Sequence, residues 1–555
     1  MTQKPKITLI TVDQYGPSLG VRFLSAVLKR AGYQTVVVFA NGYVSREAAM
    51  GKVQIFPDHI HNEIAKLVTG SLYIGISVVT PTYHRAKEIT IQIKSRINIP
   101  IIWGGVHATV SPDECLEYAD MVCMGEGEDL VVDLANRLRE NRTYDNIPGL
   151  RLPNQLPVTY IAQTDISHIP SPDYAFDGSH YIVDSHGITR INSLRTYKWF
   201  LAGEYNFSPT RGCPYKCTYC VNDRYSALCK DAKIRRFRAR NLDNVIRELI
   251  WAKNQFAFSH IVIPDDCFMA LKRDDIRYFV REYKKHIGLP FKIHGADSPS
   301  VTEEKLQLLC DAGLIELRVG IQTGSERIRK LYGRTWESNA SVLKTAHLIN
   351  HFINQGQLRW VLYYIILDNP WESKQDQVDT FKLVASLPRP FSVTLFSLTF
   401  YPGTSLYERA LSEKLIRGNA TDDAYWKNYK KLRSTPINET LGLMVYLPLS
   451  STAMWWLVKD KPVTKYSRRI IKKLVASVPE VTLFFKSRAR YEIELCIQNT
   501  RGGAIDVFRQ LKKNPSEYSG GSRRPVIVAL RLFLLSIYIK SSKLRHPLGT
   551  HTARV

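Results

Sequence analysis

The sequence predicts an α/β protein in three parts. A doubly wound parallel sheet is expected over residues 1–139, a partial (β/α) barrel over residues 201–436, and a basic, mainly helical region over residues 437–555. Three observations predict this order: apolar strands alternating with amphipathic helices at the start, strand–helix units with polar strand ends in the middle, and excess positive charge at the end. With 555 residues the chain is too long for one hydrophobic core.

Composition indicates a globular protein of a reducing compartment. The chain is 45% hydrophobic and 23% charged, and its nine cysteines are unevenly clustered. The opening "MTQKPKITLI" runs from lysines straight into a strand pattern, from which we expect no secretory signal. We therefore expect a cytoplasmic protein whose thiolates bind metal, and no disulfide framework.

The first 140 residues predict a Rossmann- or flavodoxin-like sheet. Continuous apolar, β-branched runs indicate parallel strands covered by helices on both faces. These runs are "KITLITV", "QTVVVFA", "LYIGISVV" and "PIIWGG". Ligands of such sheets bind at the carboxyl ends of the strands.

Small and hydroxyl-bearing residues follow those strand ends. Glycines there let a ligand approach the backbone closely, and the polar side chains offer hydrogen bonds. The candidate ligand contacts are Ser77, Thr80, Gly104, Gly105, His107, Thr109, Gly125, Glu126 and Gly127. The alternative is that these glycines only make tight turns between strands and helices.

The motifs "GGVHAT" and "GEGED" resemble the cobalamin-binding domain that precedes many radical S-adenosylmethionine (SAM) enzymes, over about Ile7 to Ala135. The resemblance implies cobalamin as a cofactor. Domains that bind cobalt through histidine carry Asp-x-His-x-x-Gly after the first strand, whereas this chain reads "VDQYGPSLG". We therefore expect no axial imidazole, and His107 as a residue that lines the pocket.

Residues 140–200 are predicted to be a connector. They contain the proline-rich pieces "IPGLRLPNQLP" and "HIPSPDY" and show little periodicity. The segment resembles the strap that joins the two domains in the same family.

The most specific motif is "TRGCPYKCTYCVN", which places Cys213, Cys217 and Cys220 in C-x3-C-x2-C spacing. Cysteine thiolates bind zinc or iron–sulfur clusters. A structural zinc site needs four protein ligands and would have to recruit Cys229. Three cysteines favour a cubane cluster with one iron left open.

The region from about Tyr205 to Trp426 resembles the radical SAM enzymes. The resemblance implies a [4Fe–4S] cluster on the three cysteines, SAM on the open iron, and an external electron donor of the flavodoxin or ferredoxin type. It further implies SAM contacts from Tyr219 at adenine, Asp265 and Asp266 at the methionine end, and Gln322 at the ribose.

Two of these positions depart from the family pattern. Many relatives have Glu where Gln322 stands, and some have Arg where Gly295 stands. Each aspartate alone could instead be a helix N-cap. The other cysteines are expected to be buried small hydrophobes, although Cys267 follows the aspartates at the expected active face.

The C-terminal region carries the strongest charge bias. From Leu441 onward 21 Lys and Arg stand against 6 Asp and Glu, a net charge of +15. Its two apolar runs are weak membrane spans, because one contains a proline and the other is short and interrupted by Arg531. Peripheral contact with an anionic membrane at its inner face, a lid over the substrate, and RNA binding all fit, with nucleic acid the least favoured.

Together the two resemblances predict a cobalamin-dependent radical SAM enzyme. The expected reaction is methylation of an unactivated carbon of a small-molecule or lipid-like substrate, through a 5′-deoxyadenosyl radical and methylcobalamin. A cyclase or rearrangement enzyme with the same cofactors is the alternative. A tRNA methylthiotransferase is disfavoured because Cys115 and Cys123 do not form a second cluster motif, and a corrinoid-binding sensor because the cysteine triad is intact.

Overall fold

The computed structural model describes residues 4–13, 18–40, 55–155, 159–196, 201, 203–231, 233–256, 258–426, 432–444, 449–459 and 461–476. The second apolar run of the tail, the basic clusters beyond residue 476 and residues 14–17 of the "VDQYGPSLG" loop lie outside these residues.

The N-terminal region forms a doubly wound sheet, as predicted. Its parallel strands are β1 (Lys6–Thr11), β2 (Gln34–Ala40), β3 (Ser71–Ser77), β4 (Ile101–Gly104) and β5 (Met121–Cys123), in the spatial order 5-4-3-1-2. The helices are α1 (Leu19–Arg30), α2 (Asp58–Val68), α3 (Tyr83–Lys94), α4 (Val106–Val110), α5 (Pro112–Leu116) and α6 (Glu128–Arg139). Separate hydrophobic clusters cover the two faces, which explains why the strands are apolar throughout.

The predicted connector also completes this sheet. It contains β6 (Leu150–Arg151), β7 (His180–Val183) and β8 (Ile188–Ile191). Strand β6 pairs antiparallel with β5 at one edge, and β7 pairs parallel with β2 at the other. The proline-rich segment therefore protects both edges of the sheet.

The middle region is a six-stranded partial barrel with every strand parallel. Its strands and a small ribbon are β9 (Glu204–Asn206), β10 (Thr210–Arg211), β11 (Arg238–Ala239), β12 (His260–Ile263), β13 (Phe291–Asp297), β14 (Leu314–Gln322), β15 (Trp360–Leu367) and β16 (Ser392–Ser397). The barrel order is 16-15-14-13-12-9, and β10 and β11 form the separate antiparallel ribbon.

Hydroxyl caps start most of the later barrel helices. Ser338 and Ser373 form capping boxes, and the side chains of Thr302, Ser325 and Thr404 cap other helices. The helices are α7 (Val221–Asp231), α8 (Leu242–Phe256), α9 (Arg273–His286), α10 (Glu303–Asp311), α11 (Glu326–Leu331), α12 (Asn339–Asn354), α13 (Lys374–Ser386) and α14 (Ser405–Ser412).

Three more helices follow: α15 (Pro436–Met444), α16 (Ser451–Leu457) and α17 (Pro462–Ala476). Leu441, Met444 and Met454 belong to the same hydrophobic cluster as the barrel strands. The beginning of the predicted basic region is thus packed as part of the barrel. Within the described ranges, no helix combines the length and apolarity needed to cross a bilayer.

The end of the barrel region packs onto the N-terminal sheet. His84 stacks on Trp426 with a ring-centroid distance of 3.6 Å, and the Tyr425 hydroxyl donates to Glu114 at 2.6 Å. The two sheets are therefore joined by an aromatic contact as well as by the connector.

Candidate active site

The cysteine loop leaves the barrel between β9 and α7. Gly212, just before Cys213, has φ +78°, and a Cβ there would lie 1.9 Å from the carbonyl oxygen of Arg236. Only glycine fits this approach between the loop and the segment before β11. Cys217 is buried, whereas Cys213 and Cys220 are half-buried.

Distant segments hold the loop in place. The Thr218 amide donates to the carbonyl of Tyr332 at 3.1 Å, and its hydroxyl to that of Leu331 at 2.7 Å. The amide of Leu406 donates to the Thr218 carbonyl at 2.9 Å. The middle of the motif is thus fixed by the ends of α11 and α14.

A buried arginine contacts the second cysteine. Arg334 is 4% exposed, and its guanidinium lies 3.7 Å from Cys217 Sγ while donating to the Gly320 carbonyl and to Glu337, each at 2.8 Å. Burial raises the pKa of Cys217, and Arg334 opposes that rise. Sequence reasoning missed Arg334, because nothing in its local sequence marks a residue 117 positions from Cys217 as its neighbour.

The first cysteine faces Cys267. A hydrogen bond between the two thiols lowers the pKa of Cys213, and Cys267 Sγ lies 3.5 Å from Asp297 Oδ2. Asp297 also accepts from the Tyr215 hydroxyl at 2.9 Å. Across the described part of the chain, no three His, Cys, Asp or Glu side chains are arranged as the ligands of one metal ion. The fit to a cluster therefore rests on donor chemistry: three closely spaced thiols are the ligands that iron–sulfur clusters use.

The two predicted aspartates lie beside this loop. Asp265 and Asp266 line a cavity of about 270 Å³ together with Cys213. Asp265 accepts hydrogen bonds from Ser208 and from both the amide and the hydroxyl of Thr210. Burial raises the pKa of Asp265 to about 7, while these hydrogen bonds oppose the rise. Its oxygens are thus engaged by the strand that enters the cysteine loop.

Gly295 has a structural explanation. A Cβ at Gly295 would lie 1.9 Å from the Asp265 carbonyl oxygen and 2.7 Å from the backbone of Asp266. The turn after β12 rests directly on β13 at this point. A side chain at position 295 would require that turn to move.

Tyr219 and Gln322 line a different cavity, of about 310 Å³, at the barrel mouth. The rest of its wall is largely apolar and aromatic: Tyr364, Ile366, Phe396, Ser397, Leu398, Thr399 and Tyr401. Gln322 has φ +69°, an uncommon conformation for a residue other than glycine. The structure therefore divides the four predicted SAM contacts between two cavities.

At the N-terminal sheet, hydrogen bonds join the loops after β3, β4 and β5. The Thr80 hydroxyl lies 3.1 Å from His107 Nδ1, and the Gly125 amide donates to the Thr109 hydroxyl at 3.1 Å. Ser77 ends β3 beside Gly105. The predicted contacts thus lie at one edge of the sheet, although several of them bind each other.

The sequence predicted that His107 lines the cobalamin pocket. In the structure it lies in the core instead. It is fully buried, with Nε2 3.3 Å from Glu114 and its ring packed against Tyr83 and Tyr425. Tyr425 comes from the barrel region, so a contact invisible in the local sequence covers this histidine. His107 is therefore not free to serve as an axial ligand.

Most of the glycines at this edge leave space for neighbouring protein atoms and not for a ligand. Gly125 has φ +106°, and a Cβ there would lie 2.1 Å from the carbonyl oxygen of Ile161 in the connector. A Cβ at Gly105 would meet Val78 at 3.0 Å, and one at Gly127 would meet Cys123 at 3.2 Å. Gly104 has more room, since among the described residues a Cβ there would meet only Cys123 within 4 Å, at 3.5 Å.

Glu126 joins the two sheets. Its carboxylate accepts from both terminal nitrogens of Arg238, at 2.8 and 3.0 Å, and from the Gln163 amide at 2.6 Å. The neighbouring Glu128 forms an ion pair with Arg211, two residues before Cys213. We call Glu126, Glu128, Arg211 and Arg238 the interdomain clamp.

Two families match the two sheets. The B12 binding domain matches residues 5–135, and the Radical SAM superfamily matches residues 207–374. The chain therefore combines a B12 binding domain with a Radical SAM domain. Its cofactors are accordingly cobalamin, SAM and a [4Fe–4S] cluster.

A curated relative of this enzyme is the bacteriochlorophyllide d C-8(2)-methyltransferase of Chlorobaculum tepidum. The two are 19% identical over 382 residues, which cover 68% of this chain and 76% of the relative.

Two solved structures share the fold of this radical SAM enzyme. The methyltransferase TsrM from Kitasatospora setae, with tryptophan and a SAM analogue bound, matches with a TM-score of 0.58 and 16% identity, covering 74% of this chain and 76% of TsrM. The cobalamin-dependent SAM radical enzyme OxsB, with aqua-cobalamin and SAM bound, matches with a TM-score of 0.59 and 15% identity, covering 99% of this chain and 82% of OxsB.

The described strand ends of the enzyme have room for a cobalamin beside Gly104. Gly104 leaves space at the strand edge, whereas His107 is engaged with Thr80 and Glu114. Ser77 and Gly104 at the strand ends would contact the cobalamin, and Cys213, Cys217 and Cys220 would hold the cluster.

Proposed function

We propose that this enzyme transfers a methyl group from SAM to an unactivated carbon of a small-molecule or lipid-like substrate. The observation that carries the proposal is the direct contact between the cobalamin domain and the cysteine loop. Glu128 forms an ion pair with Arg211, two residues before Cys213, and Glu126 binds Arg238, which pairs with Arg211 in the β10–β11 ribbon. These contacts support a single reaction space between the two proposed cofactor sites.

When bound, the cofactors would supply the chemistry, radical generation from SAM at the cluster and methyl transfer through cobalamin. The protein positions both and limits access of water. Arg334 would stabilise negative charge at the Cys217 end of the cluster. The apolar barrel-mouth cavity favours a substrate whose reacting carbon lies in a hydrophobic setting.

The relatives support methyl transfer without identifying the substrate. Two of the three are named methyltransferases. Bacteriochlorophyllide d and tryptophan are the molecules named for those two relatives and do not identify the substrate of this enzyme. OxsB, which matches over 99% of this chain, is described only as a SAM radical enzyme. Ring formation or rearrangement therefore stays as the second candidate.

Isotope transfer separates the two candidates. Anaerobically reconstituted enzyme with cobalamin is incubated with host metabolite and lipid extracts and SAM carrying a CD₃ group. Methyl transfer gives a product in which one CD₃ replaces one hydrogen. A new product that lacks deuterium would contradict methylation and favour rearrangement.

We also propose that α17 contacts an anionic membrane. Val463 is 57% exposed and Tyr466 66% exposed, and Lys465, Arg469 and Lys472 are exposed on the same helix. Apolar side chains beside cations suit the interface of an anionic bilayer, where each basic residue contributes about 1 kcal/mol.

Vesicle sedimentation tests this contact. Binding to anionic vesicles should weaken at high salt without vanishing, and the double variant V463D/Y466D should lose the part that salt does not remove. The matched control is I55D/I91D, which alters two apolar residues with 59% and 45% exposure in the N-terminal region. Equal binding by both variants would refute this surface.

A further inference from the structure

A dense run of cations follows the cysteine loop. Between Lys230 and Arg240 there are six Lys or Arg and one Asp. Two of the cations are buried in ion pairs, Arg238 with Glu126 and Arg240 with Glu248 at 2.7 Å. These two act within the protein.

Three others face solvent. Lys230, Lys233 and Arg235 are exposed at the end of α7 and in the turn after it. The ion pairs found among the described residues include none of these three, and the one acid of the segment is the exposed Asp231. We call Lys230, Lys233 and Arg235 the basic turn.

The basic turn lies directly on the cysteine loop. The carbonyl of Arg236, which follows Arg235, touches Gly212, where a Cβ would lie 1.9 Å away. Arg236 and Cys213 also line the same cavity of about 270 Å³. An exposed cationic surface thus meets the backbone next to the first predicted cluster ligand.

We propose that the basic turn is the docking surface for an acidic one-electron donor protein of the flavodoxin or ferredoxin type. This inference rests on the proposed function, because only a redox-active cluster needs such a partner. In the step served, the reduced donor loses one electron and the [4Fe–4S]²⁺ cluster gains it to become [4Fe–4S]⁺. Opposite charges steer such encounters and raise the association rate, and salt screens the effect.

The test measures donor binding separately from catalysis. Oxidised flavodoxin is titrated calorimetrically into the cofactor-loaded full-length enzyme at low and at high salt. The charge-reversal variant K230E/K233E/R235E should weaken binding at least tenfold at low salt and lose most of the salt dependence.

The matched control is R281E/K284E/K285E. These residues lie in the exposed C-terminal half of α9, and barrel helices end at the face opposite the strand ends that carry the site. The control should bind flavodoxin like the wild type. Unchanged binding by the basic-turn variant, or equal weakening by the control, would overturn the proposal, as would RNA binding that only the basic-turn variant loses.

A second measurement distinguishes this proposal from the proposed function. With dithionite as reductant, the basic-turn variant should cleave SAM at the wild-type rate, whereas with reduced flavodoxin its rate should fall at least tenfold. If the wild type fails to cleave SAM with dithionite, the proposed function is refuted, and the binding titration still decides the docking surface. Equal loss with both reductants would mean that the variant damages the cluster loop.

Discussion

The two parallel sheets of this enzyme present functional loops of different character at their strand ends. The cysteine loop is fastened by residues far away in sequence, such as Tyr332 and Leu406, and its motif is specific in spacing and donor type. The loops of the cobalamin domain are tied to one another and covered by Ile161 of the connector. A cysteine motif therefore indicates directly what it binds. A glycine indicates only that another group lies close to the backbone, and that group can be a ligand or another part of the protein.

The largest effect is expected at the cysteine loop. Replacing Cys213, Cys217 and Cys220 by alanine should remove about four iron atoms per chain and abolish cleavage of SAM, because no thiolate remains in the motif. Iron analysis and quantification of 5′-deoxyadenosine check this. The alanine variant of Cys115, Cys123 and Cys229 should keep its iron, and retention of iron by the motif variant would refute the ligand assignment.

A second prediction concerns the boundary of the barrel. Leu441 is fully buried in the barrel core, so Leu441→Ala should lower the free energy of unfolding by about 2–5 kcal/mol. Leu415, 46% exposed, is the control, and Leu415→Ala should change stability by less than about 0.5 kcal/mol. Denaturant unfolding monitored by tryptophan fluorescence measures both. A small loss at Leu441 would favour a separate C-terminal domain.

The third prediction tests what the glycines accommodate. Gly125→Ala should cost more stability than Gly32→Ala. Both residues have positive φ, at +106° and +92°. Among the described residues, a Cβ at Gly125 would clash with the Ile161 carbonyl, whereas one at Gly32 would meet nothing within 4 Å. The strained backbone alone costs about 1 kcal/mol, and the clash adds to it. Thermal unfolding without cobalamin measures the difference. Equal costs would mean that the connector yields readily and that Gly125 is free to admit a ligand.

The smallest effect is a pH dependence. Burial, with Asp376 and Asp368 nearby, raises the pKa of Glu372 to about 8. In the unfolded chain Glu372 has an ordinary, lower pKa, so it loses its proton at a pH where the folded state still keeps it. The free energy of unfolding therefore falls as pH rises from about 5 to 8. Glu372→Gln should remove this fall, and its melting temperature relative to wild type should rise across the window. A constant difference from pH 5 to 8 would contradict the buried acid.

Much of the fold was readable from the sequence because strand and helix periodicities are local. The alternation that predicts β1 to β4 and the polar ends of β12 to β16 depend on neighbouring residues. The cysteine motif was equally local. The uncharged run from Thr440 to Val458 was harder to interpret, because an apolar composition is needed both for packing on a barrel and for insertion into a membrane. In the structure Leu441 and Met454 of this run pack on the barrel.

The interactions that complete the site could not be read this way. Arg334 approaches Cys217, Arg238 binds Glu126, and Tyr425 covers His107 only after the chain has folded. Charged residues are common on surfaces, so a single sequence gives no reason to select these few.

The most direct test of the central claim is the fate of SAM in the anaerobically reconstituted enzyme. With dithionite and host extract, the wild type should form 5′-deoxyadenosine, and S-adenosylhomocysteine should accumulate only when cobalamin is present. S-adenosylhomocysteine formed equally without cobalamin, or no 5′-deoxyadenosine from an enzyme loaded with its cluster, would contradict a cobalamin-dependent radical methyl transfer.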